Sequence, residues 1–572
     1  MLSYRKLAMR VLGRPLHTGG GIDSSRPASQ RAAAFILTAA MLTTLAAPAF
    51  AETWYIENGD ITMKAGETKG TNKVSQGANQ EVEDTDTIIT NREDKASSNT
   101  VTIDAGNDKV EVTLKDVNID TSSRKKAAVS VTGEGDTNIK LNGDNALKSD
   151  IYRSGIYGSG SGSLTISGGE NDSLTAQGGA GGNGISSSGS LTISGGTVTA
   201  NGDDGGSGIY SRGGVTISGG STVTANGESG TISGGDGICS SGGVTISGGS
   251  TVTANGESGT ISGGAGICSS GGVTISGGST VTANGGNGGS IGGGSGIYSN
   301  GSVTISGGTV NAAGGDGKDG YGGDGIRSSS GGVTISGGTV TANGGNSTNS
   351  SGGYGISSLD VAISGGTVTA NGGDSKDGYG GDGIHSNDID LSGSLELTAK
   401  AGKGNNSNGK ALSQNGRELD LDTIKDKLGP GAKVTATDAN GETKQVSVPR
   451  PVEPEESSSS SDGGSAAPSA PAFSLPGLTV TDKDGQRISY TSTQSGNTLT
   501  VCVGRFTASF RISLAALRQL RAEGIETITF QTILCSTTLS LDELLAMGGE
   551  DAEIVLTHHI RSSTLTVGGK AV

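Results

Sequence analysis

Large side chains and proline are scarce in this chain. Aromatic residues make up 3 % of the 572 residues, and no proline occurs between Pro48 and Pro430. A compact globule needs large apolar side chains to offset a backbone entropy of ~1–2 kcal/mol per residue, so this composition argues against a single large core. The long stretch without proline is typical of a sheet that uses every backbone N–H group.

Positive charge is also scarce. The formal net charge is −16, and Arg212, Lys318 and Arg327 are the only basic residues between positions 155 and 375. Such an acidic chain repels nucleic acid and anionic membranes, so we predict no nucleic-acid partner. Polysaccharide lyases use a base beside calcium, and glycosidases use paired carboxylates. No repeated position gathers such groups, and we predict that the protein is not an enzyme.

Residues 1–51 have the pattern of a secretory signal peptide. Basic residues are followed by an uncharged, mostly apolar run, residues 32–47, and then by Ala49-Phe50-Ala51, an A-x-A cleavage pattern. The alternative, a membrane anchor, is disfavoured because the run is short for a span of about 20 residues. We therefore predict a secreted protein, extracellular or associated with the cell surface, with no membrane span after cleavage.

What the chain has in abundance is glycine, 106 residues, in a near-regular repeat. Residues 213–241 and 242–270 differ at one position only, Asp236 against Ala265. The repeated isoleucine of the Ile-Ser segment recurs every 24 to 30 residues, at Ile166, Ile193, Ile217, Ile246, Ile275, Ile305, Ile335 and Ile363, followed by Leu391. A period that varies only by insertions between glycines indicates a solenoid.

Each repeat contains three short segments typical of β-strands: Val-Thr-Ile-Ser, then Thr-Val-Thr-Ala-Asn, then Gly-Ile followed by a variable residue and Ser. Alternation places the aliphatic side chains inside and the threonines outside. Each coil then buries too few aliphatics, at ~1.5–3 kcal/mol each, to fold alone. Stacking like coils on like predicts an all-β fold, a right-handed parallel β-helix of about 9–11 coils.

One repeat position is almost always asparagine, at Asn201, Asn226, Asn255, Asn284, Asn343 and Asn371. Two explanations stay open here. The amides can stack into a side-chain ladder along the coils, or asparagine can serve because it tolerates a left-handed turn.

The segments before the clean repeats carry a family resemblance. They are Val-Thr-Leu-Lys-Asp-Val-Asn-Ile, Ala-Ala-Val-Ser-Val and Ile-Lys-Leu-Asn-Gly-Asp-Asn within residues 110–150, followed by repeated Gly-Ile-Tyr-Ser and Leu-Thr-Ile-Ser-Gly-Gly. Over roughly residues 99–400 this order resembles the clostridial-type secreted carbohydrate-binding β-helix family. The resemblance implies a right-handed β-helix like that of pectate lyases, no cleavage, calcium sites, and binding of an acidic, pectin-like polysaccharide.

The organisation that we predict has five parts. They are a signal peptide (1–51), an N-terminal cap (52–98), the β-helix with a C-terminal cap (99–447), a Pro/Ser-rich linker (448–475) and a small α+β C-terminal module (476–572). In the module we expect strands at 487–492, 498–503, 526–531 and 553–559, and helices begun by Ser513 and Ser540.

Tyrosines are the candidate sugar-binding residues because their rings stack on sugar rings. The variable position of the third segment holds Tyr157, Tyr210 and Tyr298, alongside Ser, Cys, Arg and His in other coils, which indicates an outward face. Two further tyrosines, Tyr321 and Tyr379, lie in glycine-rich loops. The alternative is that these are isolated surface side chains.

Two loops, 316–325 and 374–383, repeat the same acidic pattern. Each offers three carboxylates on a flexible backbone, as calcium sites do: Asp316, Asp319 and Asp324, then Asp374, Asp377 and Asp382. The alternative is a pair of solvated polar loops. The two loops are two coils apart, so one shared ion is disfavoured.

Four cysteines suggest two disulfides. Cys239 and Cys268 are one coil apart at the same repeat position, and a stacking distance of ~4.8 Å falls within the range that a disulfide accepts. The rival explanation is that both were copied in a recent duplication. Cys502 and Cys535 lie in strand-like segments of a secreted module, where a disulfide is favoured over two free thiols.

The sequence as a whole predicts a secreted, non-catalytic protein that binds polysaccharide, of acidic type, at a bacterial surface or matrix. A structural adhesin that contacts protein is the alternative, and a polysaccharide lyase is the second alternative. The Thr-x-Thr pairs of the second segment, such as Thr222 and Thr224, also match the pattern of an ice-binding face, although β-propensity on a wet surface explains them as well.

Overall fold

The structure is a computed structural model. It describes residues 51–449, 478–482, 486–488, 490–495, 497–503, 505, 507–522, 524–532, 536–546, 553–559, 563–568 and 570–571. The predicted signal peptide up to Phe50 and most of the predicted linker lie outside these residues. The chain divides into two compact units, before and after the boundary between Glu453 and Pro454. Among the described residues, no helix is long and apolar enough to cross a membrane.

As the repeat predicted, the first unit is a parallel β-solenoid, and it has about 14 turns. Three parallel sheets run along it, one from each strand segment of the repeat. The first sheet contains Thr53–Tyr55, Ile88–Thr90, Val110–Lys115, Thr137–Asn142, Leu164–Ser167, Leu191–Ser194, Val215–Ser218, Val244–Ile246, Val273–Ile275, Val303–Ile305 and Gly332–Ile335. The second sheet contains Asn118–Asp120, Asp144–Lys148, Ser173–Gln177, Thr197–Asn201, Thr222–Asn226, Thr251–Asn255, Thr280–Asn284, Thr309–Ala313, Thr339–Asn343 and Lys433–Thr437.

The third sheet contains Ile61–Ala65, Val101–Asp104, Val129–Thr132, Ile156–Gly158, Ile185–Ser187, Ile209–Ser211, Ile238–Ser240, Ile267–Ser269, Ile297–Ser299, Ile326–Ser328 and Leu412–Gln414. Two long strands, Ile356–Asn371 and Ile384–Lys400, pass without a break through the third, first and second sheets in turn. Equivalent residues of adjacent coils are paired in register, so that Val215 lies beside Val244 and Val244 beside Val273.

The solenoid has more turns than the 9–11 predicted because its stacking begins inside the segment predicted to be only a cap. Thr53–Tyr55 and Ile61–Ala65 already pair with strands of later coils. The antiparallel strands Asn72–Gln76 and Asn79–Asp84 fold back on this first coil, next to the 3-10 helix Ile56–Asn58.

The far end closes in a similar way. The antiparallel strands Arg417–Glu418 and Thr443–Ser447 end the sheets. This end also contains the 3-10 helix Leu421–Lys427, and the Asp420 side chain accepts a hydrogen bond from the backbone N–H of Asp422 at its start.

The core of the solenoid is a narrow column of aliphatic side chains. Val215, Ile217 and Val223 are at most 1 % exposed, whereas Thr216 and Thr224 face outward. In the regular coils the serine that ends the third-sheet strand also points inward: Ser240 is buried, and its hydroxyl donates to the carbonyl oxygen of Gly213 at 2.7 Å. The equivalent hydroxyls of Ser211, Ser269 and Ser328 also donate to a carbonyl oxygen of the preceding coil, whereas that of Ser299 is buried without a partner.

Glycine is required where the loops between the second and third sheets stack. A Cβ atom on Gly264 would lie 2.0 Å from the carbonyl oxygen of Gly235 in the preceding coil, and one on Gly235 would lie 1.9 Å from that of Gly206. Contacts below 3 Å are not available to real Cβ atoms, so the close approach of these loops fixes glycine at the position.

The asparagine position forms the predicted side-chain ladder. The Asn226 amide donates to Asn201 Oδ1 at 2.8 Å, Asn255 donates to Asn226 at 2.8 Å, and Asn284 donates to Asn255 at 2.9 Å. The ladder is interrupted at Ala313 and resumes where Asn371 donates to Asn343. None of these asparagines has a positive φ angle, so the left-handed turn does not explain them.

The second unit is the small α+β module, whose described residues form two sheets and two helices. One sheet contains Leu478–Thr481, Ala508–Ser513, Glu553–His558, Ser563–Val567 and Lys570–Ala571, and the other contains Thr491–Ser495, Thr498–Cys502, Thr527–Gln531 and Ser536–Ser540. The helices are Leu514–Ala522 and Leu541–Ala546.

Both helices begin as predicted. The Ser513 hydroxyl accepts from the backbone N–H of Ala516, and that of Ser540 from Glu543. The predicted strands at 498–503, 526–531 and 553–559 are present within about one residue, while the one at 487–492 starts later, at Thr491. The helix Leu514–Ala522 buries Leu514, Leu517 and Leu520, and Phe510 and Phe530 fill the centre of a separate core.

Candidate functional site

The variable position of the third sheet forms one continuous column along the solenoid. The strand register aligns Tyr157, Ser186, Tyr210, Cys239, Cys268, Tyr298, Arg327, Ser357 and His385 in adjacent coils. Tyr157 and Arg327 are exposed, and most of the others are half-buried. We call this set the variable column.

The five predicted sugar-binding tyrosines do not form one continuous strip. Tyr157, Tyr210 and Tyr298 stand in the variable column with one or two other residues between them. Tyr321 and Tyr379 lie in the loops before the third sheet, 64 % and 56 % exposed, and the pairing of Gly317 with Ser347 and of Ser347 with Ser375 places these loops two coils apart.

Tyr321 lines a groove of about 430 Å³ beside the variable column. The groove is also lined by Ile291, Asp324, Arg327 and Tyr354, and its floor is largely glycine backbone. It therefore combines two aromatic rings, one guanidinium and one carboxylate along a concave surface between coils.

A second column lies three residues before the variable column and supplies the acids of this region. Asp324 accepts a hydrogen bond from the backbone N–H of Tyr354 in the next coil at 2.8 Å, and Asp382 accepts one from Lys410 at 2.6 Å. Both carboxylates are buried. They hold adjacent coils together at the edge of the groove.

Each acid also faces a basic side chain in the variable column. Asp324 Oδ2 lies 3.6 Å from the Arg327 guanidinium, and Asp382 Oδ2 lies 2.7 Å from His385 Nδ1. Burial raises the pKa of Asp324 to about 6, against the lowering effects of the Tyr354 backbone N–H and Arg327.

Tyr354 stacks on His385. Their ring centroids are 4.4 Å apart and the planes differ by 8°. Burial raises the pKa of the Tyr354 phenol, as do the nearby carboxylates of Asp382 and Asp324. The cluster of Asp324, Arg327, Tyr354, Asp382 and His385, which we call the polar cluster, is thus bound together by hydrogen bonds, ion pairs and ring stacking.

This cluster is not predicted by the sequence pattern. Neither His385 nor Tyr354 is among the candidate site residues named above. Comparing the position three residues before the variable column in successive coils would have shown Tyr354 between Asp324 and Asp382. That signal depends on knowing the register of the coils.

The six predicted calcium ligands are not gathered into three-ligand groups. Asp316 and Asp374 cap the next coil by accepting from the backbone N–H groups of Asn346 and Lys403, each at 2.7 Å. Asp319 accepts from the Asn349 amide, and Asp377 is exposed on the loop. Asp324 and Asp382 are engaged in the polar cluster instead.

Within the part of the chain that the structure describes, three metal-ligating side chains converge at one place only. The ligand atoms of Asp236, Cys239 and Cys268 all lie within 4.8 Å of one another. Cys239 and Cys268 are register partners, as predicted, and both are free thiols in the structure. The hydrogen bond with Cys268 and burial raise the pKa of Cys239.

The second predicted disulfide falls partly outside the described residues. Cys502 is a free thiol whose Sγ lies 3.5 Å from Gln531 Oε1, and Cys535 is not among the described residues. Both disulfides stay predictions.

The Thr-x-Thr pairs stack in the second sheet as the repeat implies. Thr224, Thr253 and Thr282 are aligned, and Asn311 interrupts the row in the next coil. The ice-binding interpretation stays a prediction.

Comparison with known proteins identifies the repeat. The family model for the beta helix repeat matches residues 191–209, 303–326, 333–358 and 361–388. The stacked coils and this match together define a parallel β-helix protein. Searches of curated proteins and of solved structures found no match to the chain.

Proposed function

We propose that this chain is a secreted, non-catalytic protein that binds polysaccharide at a bacterial surface or matrix. The groove carries the proposal because Tyr321 and Tyr354 line it together with Arg327 and Asp324. Aromatic rings stack on the apolar faces of sugars, and planar charged groups bind hydroxyl pairs in a bidentate manner. The repeated coils extend the surface on either side for a long, repetitive ligand.

The proposed ligand is an acidic glycan. Arg327 has a side chain about half exposed, so its guanidinium can pair with a sugar carboxylate as well as with Asp324. The chain as a whole carries a net charge of −16, which opposes a polyanion. We therefore propose that calcium ions bridge the acidic protein and the acidic glycan. The exposed carboxylates of the Tyr321 and Tyr379 loops, among them Asp319 and Asp377, would bind these ions.

A glycan array tests the proposal with the full chain, in calcium and in chelator. We expect binding to acidic glycans, weakened at least about tenfold by Tyr321→Ala, since loss of an aromatic anchor that the bound ligand covers costs about 2 kcal/mol or more. Tyr152→Ala is the matched control because Tyr152 is 78 % exposed and does not line the groove. Equal binding by the Tyr321 variant would overturn the site, and shortening of the bound glycan would show a lyase instead.

The calcium part of the proposal has its own test. Calcium that binds only the folded chain raises its melting temperature by mass action, so chelator should lower the melting temperature. The double variant Asp319→Asn and Asp377→Asn should remove that shift, because it removes two carboxylate charges and keeps side chains of the same size and shape. A melting curve that does not respond to chelator would contradict the calcium sites without affecting the glycan groove.

One observation favours a protein ligand as a second candidate. Ile232 and Ile291 are each 63 % exposed, and Ile261 stands between them in the stacked loops. Contiguous apolar side chains on a surface favour protein contact. Ile232→Ser separates the two candidates because Ile232 does not line the groove: it should weaken binding of a protein partner and leave glycan binding unchanged.

A further inference from the structure

The two nearly identical coils differ at the one position that completes a ligand set. Asp236 lies three residues before Cys239, and the next coil has Ala265 in its place. The backbone N–H of Ala265 donates to Asp236 Oδ1 at 2.7 Å. This bond directs the carboxylate toward the next coil, where Cys268 is aligned with Cys239.

Duplication accounts for two cysteines at the same position, but it does not account for the single acid. If both coils had aspartate at this position, the two acids would be aligned in adjacent coils like the two cysteines. One aspartate instead gives one set of two sulfurs and one carboxylate, with all ligand atoms within 4.8 Å.

We propose that Cys239, Cys268 and Asp236 bind a thiophilic divalent cation of the zinc class. Zinc takes thiolate sulfur at about 2.3 Å and carboxylate oxygen at about 2.0–2.2 Å in tetrahedral geometry. Two sulfurs on one tetrahedral ion are roughly 3.8 Å apart, a separation that adjacent coils reach with a small side-chain rotation. Three protein ligands leave the fourth position for water.

The charges of the site favour a divalent ion. With both thiols deprotonated the set carries three negative charges on partly buried side chains, and a divalent ion takes the place of the two thiol protons. A hard ion such as calcium is disfavoured because thiolates are soft ligands. Tyr210 and Tyr298 flank the pair in the variable column.

The column itself supplies conservative variants. Ser186 and Ser357 occupy the same position in other coils, so Cys239→Ser and Cys268→Ser introduce a residue that the fold already accepts. Asp236→Ala makes the two coils identical to each other. Cys502→Ser is the control, since that thiol lies in the other unit.

The experiment is a titration of the reduced full chain with Zn²⁺, and with Cd²⁺ to follow the sulfur-to-metal charge-transfer band. We expect one ion per chain, loss of the band in either Cys variant, and a dissociation constant about tenfold or more weaker in Asp236→Ala. Cadmium should also protect both cysteines from alkylation in the wild type and in Cys502→Ser. Calcium should give no such protection.

The proposal fails if the reduced chain binds no ion, or if Cys239→Ser and Cys268→Ser bind as the wild type does. Circular dichroism of each variant excludes misfolding as the cause of a loss. Oxidised chain in which mass mapping finds the two cysteines crosslinked should bind no cation, because the disulfide uses the same two sulfurs.

Discussion

Single side chains in this protein act between coils more than within them. An asparagine of the ladder donates to the coil before it and accepts from the coil after it, and Asp324 and Asp382 each accept the backbone N–H of the next coil. A partner in the neighbouring coil is about 24 to 30 residues away in the chain. Substitutions at such positions therefore act on stacking, and their cost appears in the cooperativity of the whole solenoid.

The ladder gives a direct test at this scale. Asn255→Ala removes two side-chain hydrogen bonds, to Asn226 and from Asn284, and leaves the half-buried Asn226 Oδ1 and Asn284 Nδ2 without these partners. We expect a loss of about 1–3 kcal/mol in the free energy of unfolding, measured by urea denaturation.

The natural gap in the ladder is the matched control. Ala313→Asn places an amide between Asn284 and Asn343 and should be neutral or stabilising. If Asn255→Ala is also neutral, the ladder contributes no net stability.

Asp324 predicts a dependence of stability on pH. Its folded pKa of about 6 lies above the ordinary value of 3.8, so the folded chain holds this proton more tightly than the unfolded chain. Protonated Asp324 therefore contributes to the free energy of unfolding. This contribution is fully present below about pH 4 and is lost as the pH rises to about 6, a change of order 2–3 kcal/mol. Asp324→Asn should flatten this part of the unfolding profile while keeping the hydrogen bond from Tyr354.

Asp319→Asn is the comparison for that experiment because Asp319 is an exposed carboxylate of the same loop. It should leave the profile between pH 4 and 6 as it is in the wild type. A profile that does not change in Asp324→Asn would contradict the role assigned to burial.

At the scale of strands and loops, the repeat permits close stacking because glycine stands where the loops meet. Strand positions and the inward or outward direction of side chains followed from alternation, as at Val215, Thr216 and Ile217. The polar cluster did not, because Tyr354 and His385 come from different coils and their stacking depends on register. The number of coils was underestimated because the first coils, which include the strand Ile61–Ala65, lack the glycine-rich repeat pattern that marks the later coils.

Two glycine substitutions test the stacking of the loops. Gly264→Ala places a Cβ atom 2.0 Å from the Gly235 carbonyl oxygen, so that two coils must separate locally. We expect at least about 3 kcal/mol of destabilisation, in the upper range for single substitutions, or insoluble protein.

Gly307→Ala is the matched control, since its Cβ would meet nothing within 4 Å and its φ angle is not in the left-handed region. This variant should unfold within about 0.5 kcal/mol of the wild type. Equal behaviour of the two variants would show that the loops are not stacked as closely as described.

At the scale of the whole molecule, the residues that the structure describes form two hydrophobic cores that share no residue. The solenoid core is a long file of Val, Ile, Leu and Ala, whereas the C-terminal module packs around Phe510 and Phe530. Because each core is complete within its own unit, the two units should unfold separately.

Phe510→Ala tests this separation. Removing a fully buried phenylalanine costs about 3–5 kcal/mol, and we expect one of two calorimetric transitions to move down while the other is unchanged. Ile246→Ala, in the solenoid core, should lower only the other transition. A single transition shifted by both variants would show that the two units unfold as one.

The in-register pairing of residues 213–241 with 242–270 has an evolutionary consequence. Because the two coils are nearly identical and pair in register, each presents the same stacking surface to the coil that follows it. Deleting one copy, or inserting a third, would create only junctions of a kind that the protein already contains. Unequal recombination can therefore change the length of the solenoid in steps of one coil, about 4.8 Å each. The polar cluster would move as a block and keep its internal geometry. Alleles of different coil number would be expected to fold equally well and to differ in reach.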